Sequence, residues 1–286
     1  MRRPRTLALL TALAGAGVAT AWTLQEPTFE VHPVAGTVSM LVGDGGNIGL
    51  CLTDDGLIVV DDQLARQRET VVGMIASVTP EPPRFLLNTH HHGDHVGNNE
   101  PFGELRVPIV SHAAVRRRLA ADSATPRVAL PSVTYEESLW LHLGDERVEV
   151  RHFGPGHTDG DSVAFFHTSK VVHMGDLFFH GRFPFIDLGS GGTPEGYAAS
   201  VAAVVESIDP SWKVIPGHGP LASYDDLRAF HAALEDCIAK VRGALEAGKT
   251  VEDMITEGLL ADYEEWSWRF ISTERFLGDL AAALAD

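Results

Sequence analysis

The chain has 286 residues, a formal charge of −17 at neutral pH and only two cysteines. Such an acidic surface argues against nucleic acid and anionic membrane as partners. Cys51 and Cys237 lack the C-x-x-C spacing of a redox or zinc motif, and the length suits one large domain or one domain with an appendage.

In chain order, the first element is a leader. Arg2, Arg3 and Arg5 precede an apolar run from Leu7 to Val18, which ends in the small-x-small triplet Ala19-Thr20-Ala21. That is the layout of a secretory signal peptide over residues 1–21, and the run is too short to span a bilayer comfortably. The expectation is an exported, periplasmic protein with no membrane attachment after cleavage. Removing the three arginines takes the formal charge to −20. The paired arginines leave Sec and twin-arginine export both open. Export permits a Cys51–Cys237 disulfide, yet Cys51 lies in the strand-like "NIGLCL" and Cys237 in the helical "ALEDCIAKV". Two buried free thiols are as compatible with the pattern as a bridge.

Residues 22–222 read as the main domain. "TVSMLVG", "NIGLCLT" and "GLIVVDD" are short strands, and the glycines of "GDGGN" (43–47) mark a hairpin between the first two. Leu64, Val71, Val72, Ile75 and Val78 recur at helical spacing. "RFLLNT" is a short buried strand that leads into a histidine cluster. "SLWLHLG", "RVEVRHFG", "SVAFFHT" and "KVVHMGD" follow as strands, then "TPEGYAASVAAVVESI" as a helix and "KVIPGHG" as a last strand. From Tyr224 the pattern is helical, with Leu227, Phe230, Leu234, Ile238, Val241 and Leu245 on one face, and helix is expected through "YEEWSWRF" to the end. Residues 223–286 are therefore expected as a helical extension packed on the same domain. The intermixed elements predict an α/β layered fold of two sheets with helices outside them.

The chemistry concentrates in "THHHGDH". His90 and His92 are two apart, so in an extended segment they point to the same side. His91 alternates away and reads as a bystander. Asp94 and His95 open a helix after Gly93, which allows a tight turn between the two groups. Three more residues of ligand type sit where a strand meets a loop: His157 in "GPGHTDGD", Asp176 in "VVHMGDLFF" and His218 in "IPGHGP". Five imidazoles and two carboxylates are enough for two metal ions, and nitrogen plus oxygen donors are what a catalytic zinc site uses.

H-x-H-x-D-H followed in order by "PGHT", "GD" and "GHG" resembles the metallo-β-lactamase superfamily of hydrolases, from "DGLIVVDD" to His218. The resemblance implies an αββα sandwich with the metals at one edge, between the sheets. It further implies that His90, His92 and His157 hold one zinc, that Asp94, His95 and His218 hold a second, and that Asp176 bridges them. Asp61 matches the superfamily's early aspartate and would support a ligand by a hydrogen bond; Asp62 is the alternative. A hydroxide bridging two zinc ions would attack an amide, ester or thioester carbonyl of a small-molecule substrate, with Asp94 orienting it and passing a proton.

Departures from the β-lactamase pattern bear on substrate. Many zinc β-lactamases have a cysteine where this chain has Asp176, followed shortly by a lysine that anchors the substrate carboxylate. Here "GDLFFHGR" offers Phe178 and Phe179, with His180 or Arg182 as the nearest cations. The aspartate and "THHHGDH" look more like glyoxalase II, a thioesterase, whereas export suits a β-lactamase. The leading expectation is a β-lactamase-like hydrolase. The alternatives are a thioesterase, a persulfide dioxygenase using one iron, or an accessory metal-binding protein. The relatives with a flavo-diiron centre carry a glutamate where this chain has His92 and are set aside. Asn47 on the glycine-rich hairpin, Phe179 and Arg182 are expected to line the substrate cleft, with the hairpin folding over the substrate. Trp266, Trp268 and Phe270 are expected to pack the C-terminal extension.

Overall fold

The computed structural model describes residues 28–285, so the expected leader lies outside the described residues. The chain builds two sheets. The first runs β1 (Glu30–Ala35), β2 (Val38–Val42), β3 (Ile48–Thr53), β4 (Gly56–Val60), β5 (Phe85–Leu87), β6 (Ile109–His112) and β7 (Val133–Tyr135), in that spatial order. It is antiparallel from β1 to β4 and parallel from β4 to β7. The second sheet contains β8 (Ser138–Leu143), β9 (Glu146–Arg151), β10 (Val163–Phe166), β11 (Val171–His173), β12 (Lys213–Ile215) and β13 (Ala222–Ser223), again in sequence order across the sheet. Only β11 and β12 are parallel there.

Successive side chains of a strand point to opposite faces, so a strand between two apolar layers must be apolar at every position. The central strands obey this. Leu57 and Val59 of β4 join Leu50 of β3 and Val71 and Ile75 of α1 (Arg68–Val78) in one cluster. Ile58 and Val60 point the other way, onto Val148 and Val150 of β9 and Ala164 and Phe166 of β10. The alternate residues of β10, Val163 and Phe165, face a third cluster formed with the C-terminal helices. The layers are therefore helix, sheet, sheet, helix. Between β5 and β7 lie α2 (Gly93–Val96), α3 (Asn99–Glu104) and α4 (Ala113–Ala121).

Helix α5 (Pro194–Ser207) and helix α6 (Tyr224–Glu246) cover the outer face of the second sheet. Ser223 and Asp226 form a capping box that starts α6, and Leu227, Phe230, Leu234, Ile238 and Val241 are its buried face. α7 (Val251–Thr256) follows, and then the expected helix through the aromatic run does not form. Residues Ala261–Trp266 are a 3-10 stretch interrupted at Tyr263, residues 267–272 are irregular, and α8 (Thr273–Leu284) begins after a Ser272 cap. The side chain of Ser267 accepts from Thr273 N at 2.8 Å, and Trp268 Nε1 donates to Phe183 O at 2.9 Å. Side chains thus take up the backbone and anchor a turn, as serine tends to do.

Four strands were not legible in the sequence, one of them the two-residue β13. β1 contains Pro33 and is largely exposed, as an edge strand can be. β6 and β7 are four and three residues long, too short to show a period. Cys51 and Cys237 are buried free thiols in clusters on opposite faces of the second sheet, so no bridge joins them.

Phe230 is fully buried, with ring centroids 5.0 Å from Phe178, 6.1 Å from Tyr197 and 5.8 Å from Trp266. Phe230→Ala is expected to lower the unfolding free energy by about 3–5 kcal/mol, measured by urea denaturation. A loss under about 1 kcal/mol would show that α6 does not seal the outer core.

Candidate metal centre

The strand ends meet at one edge of the sandwich. β4 ends at Asp61, β5 runs into Thr89 and the histidine loop, and β11 and β12 run into Asp176 and His218. The loop between β9 and β10 adds His157. Two constellations result: His90, His92, His157 and Asp176 form one, and Asp94, His95 and His218 form the other. Within each, one candidate donor atom per residue lies within 4.8 Å of the rest. His91 belongs to neither; with His92 and Asp187 it forms a third group of candidate donors.

Asp176 stands between them. Its Oδ2 is 3.8 Å from His90 Nε2 and 3.6 Å from His157 Nε2. Its Oδ1 is 3.0 Å from His95 Nε2 and 3.5 Å from His218 Nε2. Asp94 Oδ2 lies 3.3 Å from His218 Nε2 and 3.8 Å from His95 Nε2. Gly217 and Gly46 permit this crowding. A Cβ at Gly217 would stand 2.1 Å from Asp176 Oδ1, and one at Gly46 would stand 2.2 Å from the His95 ring.

Four of the five imidazoles, all but His218, are oriented from behind. Asp61 Oδ2 lies 2.7 Å from His95 Nδ1, and its carboxylate accepts from Thr89 N and Oγ1, both at 2.7 Å. Thr89 Oγ1 is in turn 3.0 Å from His90 Nδ1. His157 Nδ1 donates to Phe185 O at 2.7 Å, and His92 Nε2 to Asp187 Oδ2 at 2.9 Å. Such partners fix the tautomer and aim the other ring nitrogen inward. Asp62 does not share this role: its Oδ1 accepts from Asn98 N at 2.7 Å. Asp187 and Thr89 escaped the sequence reading. Asp187 ends the aromatic segment "HGRFPFID" with no motif around it, and Thr89 is hidden by the histidines that follow.

The turn chemistry also differs from expectation. Gly93 is the first residue of α2, after His92 in extended geometry, and its φ is not positive. The left-handed residues are Asp61 (φ 63) and Gln63 (φ 67). That conformation costs a non-glycine residue roughly 1–2 kcal/mol, and it occurs where the Asp61 carboxylate is held by three partners.

Several atoms here lack the partners that buried polar groups normally have. His90 Nε2, His95 Nε2 and Asp176 Oδ1 make no hydrogen bond; His95 Nε2 and Asp176 Oδ1 are close but misaligned. His92 Nδ1 and His157 Nε2 face each other at 2.9 Å, although the other nitrogen of each ring already donates to an oxygen. Two facing lone pairs repel unless a proton or a cation lies between them. The inward atoms are imidazole nitrogens and carboxylate oxygens, the donor set of zinc and similar ions. The residues therefore fit a pair of metal ions.

Electrostatics divides the two groups. Burial depresses His90 well below the usual histidine value and His157 to about 4, the latter despite Asp176. Burial also opposes charge on His95 and His218, but the surrounding carboxylates outweigh it. Asp176, Asp94 and Asp61 hold His95 well above its ordinary value, and Asp176 and Asp94 hold His218 at about 9. Asp94, against the effect of burial, is drawn down to about 2 by His95 and His218.

The site opens into a cleft of about 1390 Å³ lined by His92, Asp94, Asp176 and His218, and also by Asn47, Phe179 and Arg182. Asn47 is a wall rather than part of a closing flap. Its Nδ2 donates to Pro216 O and Gly219 O, and the Gln63 side chain bonds both Gly45 N and Gly46 O. His180 Nδ1 turns away to Pro220 O, which leaves Arg182 as the cation on that segment facing the cleft. Trp266 packs on Phe230, as expected, but Trp268 and Phe270 line the cleft.

Comparison with known proteins gives a consistent family. The model of the metallo-beta-lactamase superfamily matches residues 41–218. A hydroxyacylglutathione hydrolase of Mesorhizobium japonicum is 31% identical over 138 residues, 46% of this chain and 50% of that protein. An acyl-coenzyme A thioesterase of Gallus gallus is 28% identical over 171 residues, 51% of this chain and 61% of its own length. The chain thus spans about half the length of the first of these curated relatives. Among solved structures, a metallo-beta-lactamase from Pontibacter korlensis superposes with a TM-score of 0.64 at 19% identity, over 73% of this chain and 100% of that one. At that identity the likeness shows the fold alone.

Metal uptake is expected to be ordered by pH. At neutral pH the metal-free first group is deprotonated at His90 and His157, while His95 and His218 carry protons that an entering ion must displace. Affinity of the second group for zinc is therefore expected to keep rising with pH through about pH 9, where His218 is half deprotonated, while His90 and His157 of the first group release no protons at neutral pH. Calorimetric zinc titrations in buffers of different ionisation enthalpy measure the protons released. Equal release for both equivalents would contradict the division.

Proposed function

The chain belongs to the metallo-beta-lactamase superfamily, and from that premise we propose that it is an exported two-metal hydrolase cleaving an ester-type carbonyl, thioesters first. The observation that carries this reading is the Asp176 carboxylate, whose two oxygens are divided between two histidine groups. In this reading His90, His92 and His157 hold one zinc, Asp94, His95 and His218 the other, and Asp176 touches both. When bound, such a pair supplies Lewis acidity toward a carbonyl and brings the pKa of water down to about 7.

The protein's own groups do the rest. Asp94 is ionised and about 29% exposed at the cleft floor, so its Oδ2 can accept the proton of an attacking water and return it to the leaving group. Asp61, Thr89 and Asp187 hold the imidazoles in one orientation, which keeps the reacting geometry fixed. Phe179 and Phe185 lie against the His218 and His92 rings, with centroids 5.1 and 5.9 Å apart, and exclude water from the flanks of the site.

Thioesters come first because the sequence similarity runs to a hydroxyacylglutathione hydrolase and an acyl-coenzyme A thioesterase. A second reading, opening of a β-lactam, is favoured by the signal-peptide layout of residues 1–21. A single iron held by the first group, serving a dioxygenase, is the remaining alternative and is separated by metal analysis.

Purified zinc-loaded protein is expected to hydrolyse an acyl thioester, with Asp94→Asn, compared at equal metal occupancy in excess zinc, lowering kcat by about 10²–10⁴. Preference for a chromogenic cephalosporin over thioesters would move the assignment to the second reading. No turnover of either class by protein shown to contain two metals would sink the hydrolase reading. Asp187→Ala is expected to weaken zinc binding about 10–100-fold, read by competition with a fluorescent chelator. The mature protein from a periplasmic fraction is expected to begin at Trp22, read by N-terminal sequencing.

A further inference from the structure

Residues beyond 218 lie outside the family match, yet six of them line the cleft: Gly219, Pro220 and Leu221 directly after His218, and Trp268, Arg269 and Phe270 from the C-terminal extension. Trp268 and Phe270 complete an arc of rings that runs from one histidine group to the other. Phe185 stacks on His92 at 5.9 Å, and Phe270 meets Phe185 edge-on at 5.5 Å. Trp268 is 5.6 Å from Phe270 and 6.1 Å from Phe179, and Phe179 stacks on His218 at 5.1 Å.

The arc is held in place. Trp268 donates through Nε1 to Phe183 O and through its backbone N to Ile271 O. Arg275 donates to Phe270 O at 2.7 Å and places its guanidinium 4.6 Å from the Phe270 ring centroid. Even so, Phe270 remains 49% exposed. A braced aromatic ring left open to water at the mouth of a cleft is a binding surface that needs an apolar partner.

Beside it stands Arg182, half-buried, with its guanidinium 5.2 Å from the Trp268 centroid. Among the described residues no carboxylate lies within 4.0 Å of it, nor of Arg269. Arg66, the other arginine lining the cleft, is already paired with Asp44. A partly desolvated guanidinium without a carboxylate of its own is a ready partner for an anionic ligand.

We propose that Phe270 and Trp268, with Arg182, select substrates carrying an aromatic or similarly flat apolar group next to a free carboxylate, separate from the carbonyl that is cleaved. The inference rests on the reading that this cleft receives the substrate of the metal centre, and it names the class of that substrate. The ring lies along the arc, the free carboxylate pairs with Arg182, and the scissile carbonyl points to the floor between Asp94 and Asp176. Trp268 and Phe270 would be specificity residues supplied by the C-terminal extension, with Arg182 supplied by the main domain.

The test uses binding of product-like acids to the metal-loaded full chain, which needs no turnover. Phenylsuccinate, succinate, phenylacetate and acetate are titrated by calorimetry. One carboxylate of each meets the metal centre, so differences within the set report the phenyl group and the second carboxylate separately. Phenylsuccinate is expected to bind about tenfold tighter than succinate and about tenfold tighter than phenylacetate. Phe270→Ala should remove the first preference and leave succinate affinity unchanged. Arg182→Ala should remove the second and leave phenylacetate unchanged, with Arg182→Lys restoring part of it. Both preferences persisting in both variants, or neither existing in the unaltered protein, would overturn the proposal. If the preferences behave as expected while no thioester or β-lactam is hydrolysed, the hydrolase reading fails and the substrate-class inference stands.

Discussion

The site depends on one buried carboxylate. Asp61 sits at the end of β4 in a left-handed conformation that an ordinary residue resists. Its oxygens bind the backbone and hydroxyl of Thr89, at the end of β5, and the Nδ1 of His95, on α2. The ends of β4 and β5 and the start of α2 are thereby locked to one another at the point where they deliver His90, His92, Asp94 and His95. Through Thr89 Oγ1 the same carboxylate reaches His90, so one group orients an imidazole in each half of the centre. Without it, the strand ends would still be adjacent, but the rings would have no reason to face inward.

The sandwich explains why the site lies at an edge. Between the sheets the facing side chains of β4, β9 and β10 are apolar, which leaves no room there for converging ionic groups. Polar side chains can converge only where strands end and loops begin. β4 and β5 of one sheet and β11 and β12 of the other end together, and each pair is parallel, so both sheets contribute loops to the same edge. Asp176 and His218, contributed by the second sheet, then close on the histidines of the first.

What could be read from sequence follows the same physical division. Long apolar strands and the one-sided face of α6 leave a period in the chain, and they were legible. So was the set of residues that converge at the edge, because His90, His92, Asp94 and His95 sit in one motif and His157, Asp176 and His218 each follow a strand. What was hidden depends on tertiary contact. β1, β6 and β7 are short or exposed and gain their order from neighbours. Asp187 reaches His92 across 95 positions, and nothing local marks it. The turn at 267–272 overrode a helical pattern because Ser267, Trp268 and Ser272 find partners outside the helix. Trp268 and Phe270 look like core residues in sequence; only the path of that turn brings them to the cleft.

The two halves of the centre are not equivalent, and their surroundings say why. The first contains His90 and His157, deeply buried and held neutral, beside His92, which Asp187 backs. An ion entering there would displace no proton from His90 or His157 at neutral pH. The second contains two imidazoles that carboxylates keep protonated when no ion is present. Protons on His95 and His218 then stand in for the missing positive charge, so the crowded carboxylates Asp61, Asp94 and Asp176 never face one another unscreened. The half that exchanges protons for metal is also the half that contains Asp94, the carboxylate most open to the cleft.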